Sequence, residues 1–211
     1  MQLISIIICY KLHPILWPSR SAGGNDNSSI LSKRYIVYQT ISKSQAAQQV
    51  ATVLIEQPGL HPAGIAEQLN LTEGEVVLAL PKAMVTAIAG VDAEAILQQL
   101  SDWGPVTTIV HSQGSIFEVK ASFPKGKSAH GYYNLMGKEG QLHGHLQLDK
   151  VAHIALVSKP FNGKESHFIG FFTAAGDGIF KVYLGRDAKR QLIPEQVEKF
   201  HQLKQSQVEE V

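Results

Sequence analysis

Cysteine is nearly absent. Cys9 is the only one in 211 residues, so no disulfide can form within the chain and a Cys-based zinc or iron–sulfur site is excluded. That usage fits a reducing cytoplasm, where we expect the protein to work. Charge of one sign is also lacking: 19 Lys and Arg against 18 Asp and Glu leave a formal net charge of +1, and with it no global field toward nucleic acid or a membrane surface. Any partner must be recognised locally. Long apolar runs are missing too. The start, MQLISIIICYKLHPILW, has no basic leading segment and no small-residue cleavage site. Pro14 and Pro18 interrupt it well short of the roughly 20 apolar residues of a span, so neither a signal peptide nor a stable membrane anchor is expected.

The familiar chemical motifs are absent as well. There is no phosphate-binding G-x-x-x-x-G-K-[ST], no dinucleotide G-x-G-x-x-G after a strand, no H-E-x-x-H and no G-x-S-x-G. Acids such as Glu118 and Glu139 are scattered without a second carboxylate at catalytic spacing, which leaves hydrolysis and nucleotide chemistry without a signature.

What is present is a chain with 44% hydrophobic and 18% charged residues, core enough for one domain of moderate size, which we place at residues 45–208. Residues 1–44 stand apart. PSRSAGGNDNSSILSK is a linker-like composition, read as a disordered extension or as sequence ahead of a misassigned start.

From Ser44 the pattern is helical, with Ala47, Val50, Ala51, Leu54 and Ile55 at three- and four-residue spacing until QPG stops it. HPAGIAEQLN, with Pro62 in a first turn, and LTEGEVVLALP, with Thr72 and Glu75 as a capping box, give two short helices, and DAEAILQQLSDW a fourth. The period then changes. Residues 106–111, 115–121, 131–136, 143–148, 153–158, 167–173 and 179–184 are short runs rich in β-branched and aromatic residues, separated by turns such as Gln113-Gly114 and Asn162-Gly163. IPEQVEKFHQLKQ closes the chain as a helix. The fold class is therefore α+β: a large antiparallel sheet of about seven or more strands, an N-terminal helical cap and a C-terminal helix.

The second and third helices suggest a helix-turn-helix, but the third offers Thr72, Glu73 and Glu75 where a phosphate backbone needs bases. Between Ala51 and Leu100 six acids stand against Lys82 alone. No nucleic-acid partner is expected.

SAHGYYNLMGKEGQLHGHLQLD, residues 128–149, gathers three of the chain's nine histidines. If residues 138–141 form the loop of a hairpin, Gly137 pairs with Leu142 and Asn134 with His145. Strand alternation then puts His130, Tyr132, Asn134, Met136, His143 and His145 on one face and Tyr133, Leu135, Leu146 and Leu148 on the other. A solvated sheet face carries such residues in ordinary proteins, yet Lys, Glu and Thr are the commoner choice. His111, ending VTTIVH, could join the patch from elsewhere in the sheet. The residue types suit zinc held by three or four ligands, or haem iron held by an axial His or Tyr, and spacing does not choose between them. His13, His61 and His201 read as surface residues, Arg186, Lys189 and Arg190 as surface charges, and Trp103, Phe117 and Phe171 as core or interface packing.

LIEQPG, EVVLALP, WGPVTTIVH, HGYYNL, HGH, AAGDGIFKVYLGRD and LIPEQV, spread over residues 47–203, resemble the HutX/ChuX family of intracellular haem-utilisation carriers. The resemblance implies a homodimer that transiently binds b-type haem and passes it to a haem-degrading acceptor enzyme of the same uptake system. It places the haem-associated histidines at His111 and His145 and a tyrosine ligand in the HGY segment, His130 to Tyr132. Candidate iron ligands are thus His111, His145 and Tyr132, with His130 beside them. Alternatives are a haem-degrading enzyme and a non-haem zinc protein.

Overall fold

The computed structural model describes residues 42–209. Most of the segment read as an extension, residues 1–41, lies outside the described residues. Helix α1 (Lys43–Glu56) starts at a capping box in which Ser42 and Gln45 exchange hydrogen bonds, and α3 (Glu73–Leu78) starts at the expected one between Thr72 and Glu75. Between them α2 (Pro62–Leu69) has Pro62 in its first turn and an unexpected N-cap: His61 Nδ1 accepts the Gly64 N–H at 2.9 Å.

Strand β1 (Val85–Ala89) and helix α4 (Ala93–Leu100) lead into the hairpin of β2 (Pro105–Ser112) and β3 (Ser115–Ser122). Three short strands follow, β4 (Gly126–Ala129), β5 (Tyr132–Leu135) and β6 (Gly144–Leu146). Then come β7 (His153–Ser158), β8 (His167–Phe172), β9 (Gly178–Tyr183) and helix α5 (Pro194–Glu209). Every strand pair is antiparallel, as expected from the short connections. The strands form two sheets, one of six in the order β1-β7-β8-β9-β2-β3 and one of three in the order β4-β5-β6. Two strands escape the sequence pattern. VTAIA is too short to show a period, and GKSA has Ala129 as its one apolar residue; it pairs with β5 while Tyr133 packs directly on Gly126, where any Cβ would collide with the ring.

The middle of the six-stranded sheet is buried on both faces, which is why β7 and β8 read as continuous apolar runs. On one side Ile154, Leu156, Phe171, Phe180, Val182 and Val106 meet α4, α5 and the inward residues of the small sheet, Tyr133 and Leu135. On the other side Ala155, Val157, Phe168 and Phe172 meet Val50, Val53, Ile65, Val76 and Val77 of the helical cap. The cap docks closely. Gly74 N–H donates to the Gly176 carbonyl at 2.8 Å, and a Cβ at Gly74 would lie 2.7 Å from that oxygen. Glu73, counted above among the acids that repel phosphate, turns inward to pair with Lys181 Nζ at 2.7 and 3.0 Å.

Helix α5 is tied to the sheet through His167, which is buried. Its Nε2–H donates to Glu165 at 2.8 Å and its Nδ1 accepts from the Ser158 hydroxyl at 3.0 Å. The rings of Phe200 and His201 pack on it and Lys204 stands over the same serine. His201 is exposed, as read from the sequence, and its ring also packs on this joint. Burial, with the His201 and Lys204 charges adding to it, outweighs Glu165 and lowers the His167 pKa. The folded state therefore prefers the neutral ring. Its contribution to stability is complete above the unfolded value of about 6.5 and is lost as pH falls below it. Thermal unfolding followed from about pH 7 to about pH 5 is expected to show falling Tm in the wild type and a flatter profile in His167→Gln; parallel profiles would contradict this account.

Candidate functional site

The hairpin of β5 and β6 has the register read from the sequence. Asn134 faces His145 and Leu135 faces Gly144, while the backbone at Gly137 runs so close to the Leu142 carbonyl that no side chain fits there. Tyr133, 1% exposed, and Leu135 point into the core, so Tyr132, Asn134 and Met136 point away from it. Tyr132 is 41% exposed. Of two adjacent tyrosines in the HGYYNL segment, only Tyr132 can meet a ligand.

The Asn134 side chain decides what His145 can do. Its amide Nδ2 donates to the carbonyls of Ala129, Tyr132 and Lys127 at 3.0, 3.0 and 3.2 Å, which fixes the amide orientation. Oδ1 is then left facing His145 Nδ1 at 2.6 Å, and since it can only accept, Nδ1 must carry the proton. His145 Nε2 therefore keeps a free lone pair. This is how a metal-binding imidazole is prepared: a fixed acceptor on one nitrogen sets the tautomer and aims the other. The Tyr132 ring meets the His145 ring edge-on with centroids 6.0 Å apart, so phenol and imidazole share one exposed patch.

His130 does not lie in the strand row where alternation put it. With Gly131 it forms the two-residue turn between β4 and β5, at φ 54° and 79°, a geometry that requires left-handed backbone at both positions. It stands exposed at the tip beside the patch. His143 precedes β6 and is also exposed.

His111 lies elsewhere. On β2, Val106 and Val110 face the core shared with the small sheet, so Thr107, Ile109 and His111 face the opposite way. Tyr132 and His145 occupy the outer face of the small sheet and His111 the outer face of the large one. One chain does not bring the three together, so His111 does not join the hairpin patch. Instead it lines a cavity of about 290 Å³ whose walls include Ile109, Ile116, Phe161 and Phe168 and which also contains His61 and Lys159. The cavity walls, with the Lys181 ammonium adding to them, lower the His111 pKa, so its ring is neutral near neutral pH.

Sequence reasoning passed over His61 and Lys159. His61 stands directly before a first-turn proline, where a side-chain acceptor is needed, and that is a readable signal. Lys159 follows an apolar strand and precedes Pro160, and nothing in the pattern distinguishes it from a turn lysine. Arg186 donates to the carbonyls of Glu165 and Arg190, consistent with a surface role. Among the described residues no group of three or more His, Cys, Asp or Glu could hold a metal ion, so the zinc alternative has no ligand set there. An NMR titration of the His111 ring is expected to give a midpoint below about 6.5; a midpoint at or above it would contradict the cavity environment described.

Comparison with known proteins now bears on these faces. The family model described as haem utilisation ChuX/HutX matches residues 86–203. The intracellular heme transport protein HutX of Vibrio cholerae is 62% identical over 158 residues, covering 75% of this chain and 82% of that protein. A solved structure of the heme binding protein ChuX superposes with a TM-score of 0.68 at 37% identity, covering 74% of this chain and 97% of the other. The heme degrading enzyme ChuS of Escherichia coli O157:H7 shares the fold alone, with a TM-score of 0.60 at 21% identity over 68% of this chain and 43% of ChuS. The chain belongs to the haem utilisation ChuX/HutX family.

Proposed function

We propose that the chain is a haem carrier of the cytoplasm, which accepts imported haem and hands it to a haem-degrading enzyme. The observation that carries this reading is the Tyr132–His145–Asn134 arrangement: an exposed phenol beside an imidazole whose tautomer is set for ligation. The names of the relatives, a heme transport protein and a heme binding protein, point the same way. Haem would be cargo here, and the iron supplies the affinity for phenolate or imidazole. Tyr132 or His145 would take the iron and Asn134 would hold the His145 ring in place. His130, at the tip of the adjacent turn, is close in sequence to both. Exposure of both ligand candidates suits a protein that must release its cargo as well as bind it.

A homodimer belongs to the same proposal. Strand β3 is an edge of the six-stranded sheet, and it exposes Ile116 at 62% and Phe117 at 60%. An edge with unpaired backbone groups and exposed apolar side chains is a template for a second copy. His111 stands beside this edge, so a second copy would bring new surface against it.

Carriage rather than degradation is supported by the 62% identical relative, which is named a heme transport protein. Haem breakdown is tested directly: bound haem kept under ascorbate with catalase present is expected to retain its Soret band, and loss of the band with iron release would favour an enzyme. For the carrier itself, haemin titrated into the apo-protein is expected to give a saturable Soret band that shifts or weakens in Tyr132→Phe, His145→Ala or His111→Ala. An unchanged band in all three would contradict the assignment. Asn134→Leu is expected to weaken haemin binding by about tenfold, and Asn134→Asp, which still accepts from Nδ1–H, to restore it.

A further inference from the structure

The cavity on the outer face of the large sheet holds a feature that the haem-ligand candidates do not explain. Lys159 is 5% exposed, and the residue lines the cavity. It donates to the Pro58 carbonyl at 2.9 Å and, at 3.4 Å, to that of Pro160. An ammonium has three N–H groups, so one remains, together with the whole positive charge. Among the described residues Lys159 has no carboxylate partner. Lys181, which lines the same cavity, shows the contrast: Glu73 neutralises it at 2.7 Å. A buried, uncompensated charge is costly, and proteins keep one where a ligand completes it.

The second donor is His61. Its Nδ1 is occupied as acceptor for the helix α2 N-cap, so the neutral ring carries its proton on Nε2. That nitrogen donates and cannot ligate iron as arranged. The rest of the wall is largely apolar, with Ile109, Ile116 and Phe168. At about 290 Å³ the cavity lies at the small end of ligand sites, the size for an edge of a large ligand rather than all of it.

We infer that this cavity is a carboxylate-receiving site, in which Lys159 and His61 hold the acidic side group of a ligand whose body is apolar. The inference rests on the haem reading for the identity of that ligand: a propionate-bearing edge of the porphyrin, docked on the face opposite Tyr132 and His145. The chain then offers its cargo two positions, one that grips iron and one that grips a propionate.

The test compares haemin with haemin dimethyl ester, in which both propionates are masked, in a Tyr132→Phe/His145→Ala background. Haemin is expected to retain saturable binding there and to bind about tenfold more tightly than the ester. Lys159→Met is expected to abolish that preference while leaving ester binding unchanged, and Lys159→Arg to keep it. Equal affinity for haemin and ester in the background protein, or no residual haemin binding at all, would overturn the inference. That comparison stands even if the Lys159 variants fold poorly. If Lys159 only ties the loop at Pro58, Lys159→Met lowers Tm and leaves the haemin preference intact, which also overturns it. Failure of wild-type protein to bind any haemin would instead sink the carrier reading itself.

Discussion

Everything functional in this chain follows from one packing constraint: two sheets share a core, so each strand must turn alternate residues outward. Tyr133 and Leu135 on the small sheet and Val106, Phe180 and Val182 on the large one fill the space between them. Slipping β5 by one residue would bury Tyr132 and Asn134 and expose Tyr133, replacing a packed ring with polar groups. The register of Asn134 against His145 is therefore held by apolar burial, and the ligand patch is a consequence of it.

On that scaffold the chemistry is set by hydrogen bonds. Asn134 spends its amide protons on three carbonyls and leaves its oxygen for His145, which leaves the other imidazole nitrogen free. On the far face His61 has the reverse arrangement, with Nδ1 accepting from the backbone, and so becomes a donor. Identical side chains thus receive opposite roles from their neighbours. The ammonium groups divide in the same manner. Lys181 is balanced by Glu73, whereas Lys159, among the described residues, meets only carbonyls.

Much of this was legible in the sequence, for definable reasons. Helical spacing, the Thr72–Glu75 box and strand alternation are local properties, and they gave the cap, the sheet and the Asn134–His145 pairing. The resemblance identified the family and with it the cargo. What stayed hidden was non-local. The separation of His111 from the hairpin depends on which sheet each strand joins, and no short-range pattern records that. Strand β4 carries no apolar alternation, with Ala129 its one apolar residue, because Gly126 contributes room for Tyr133 rather than a side chain. The capping role of His61 was readable from its place before Pro62, but its entry into a cavity was not. Nor was the partnership of Glu73 with Lys181, residues that meet only once α3 is laid on the sheet.

The central claim is that the outer face of the small sheet holds the iron. Bound ferric haem broadens nearby nuclei, so the most direct measurement is an NMR spectrum of the fully occupied haemin complex with labelled His and Tyr rings. The account predicts that Tyr132 and His145 broaden beyond detection while His167, in the joint under α5, stays sharp. Sharp Tyr132 and His145 signals in a saturated complex would contradict it.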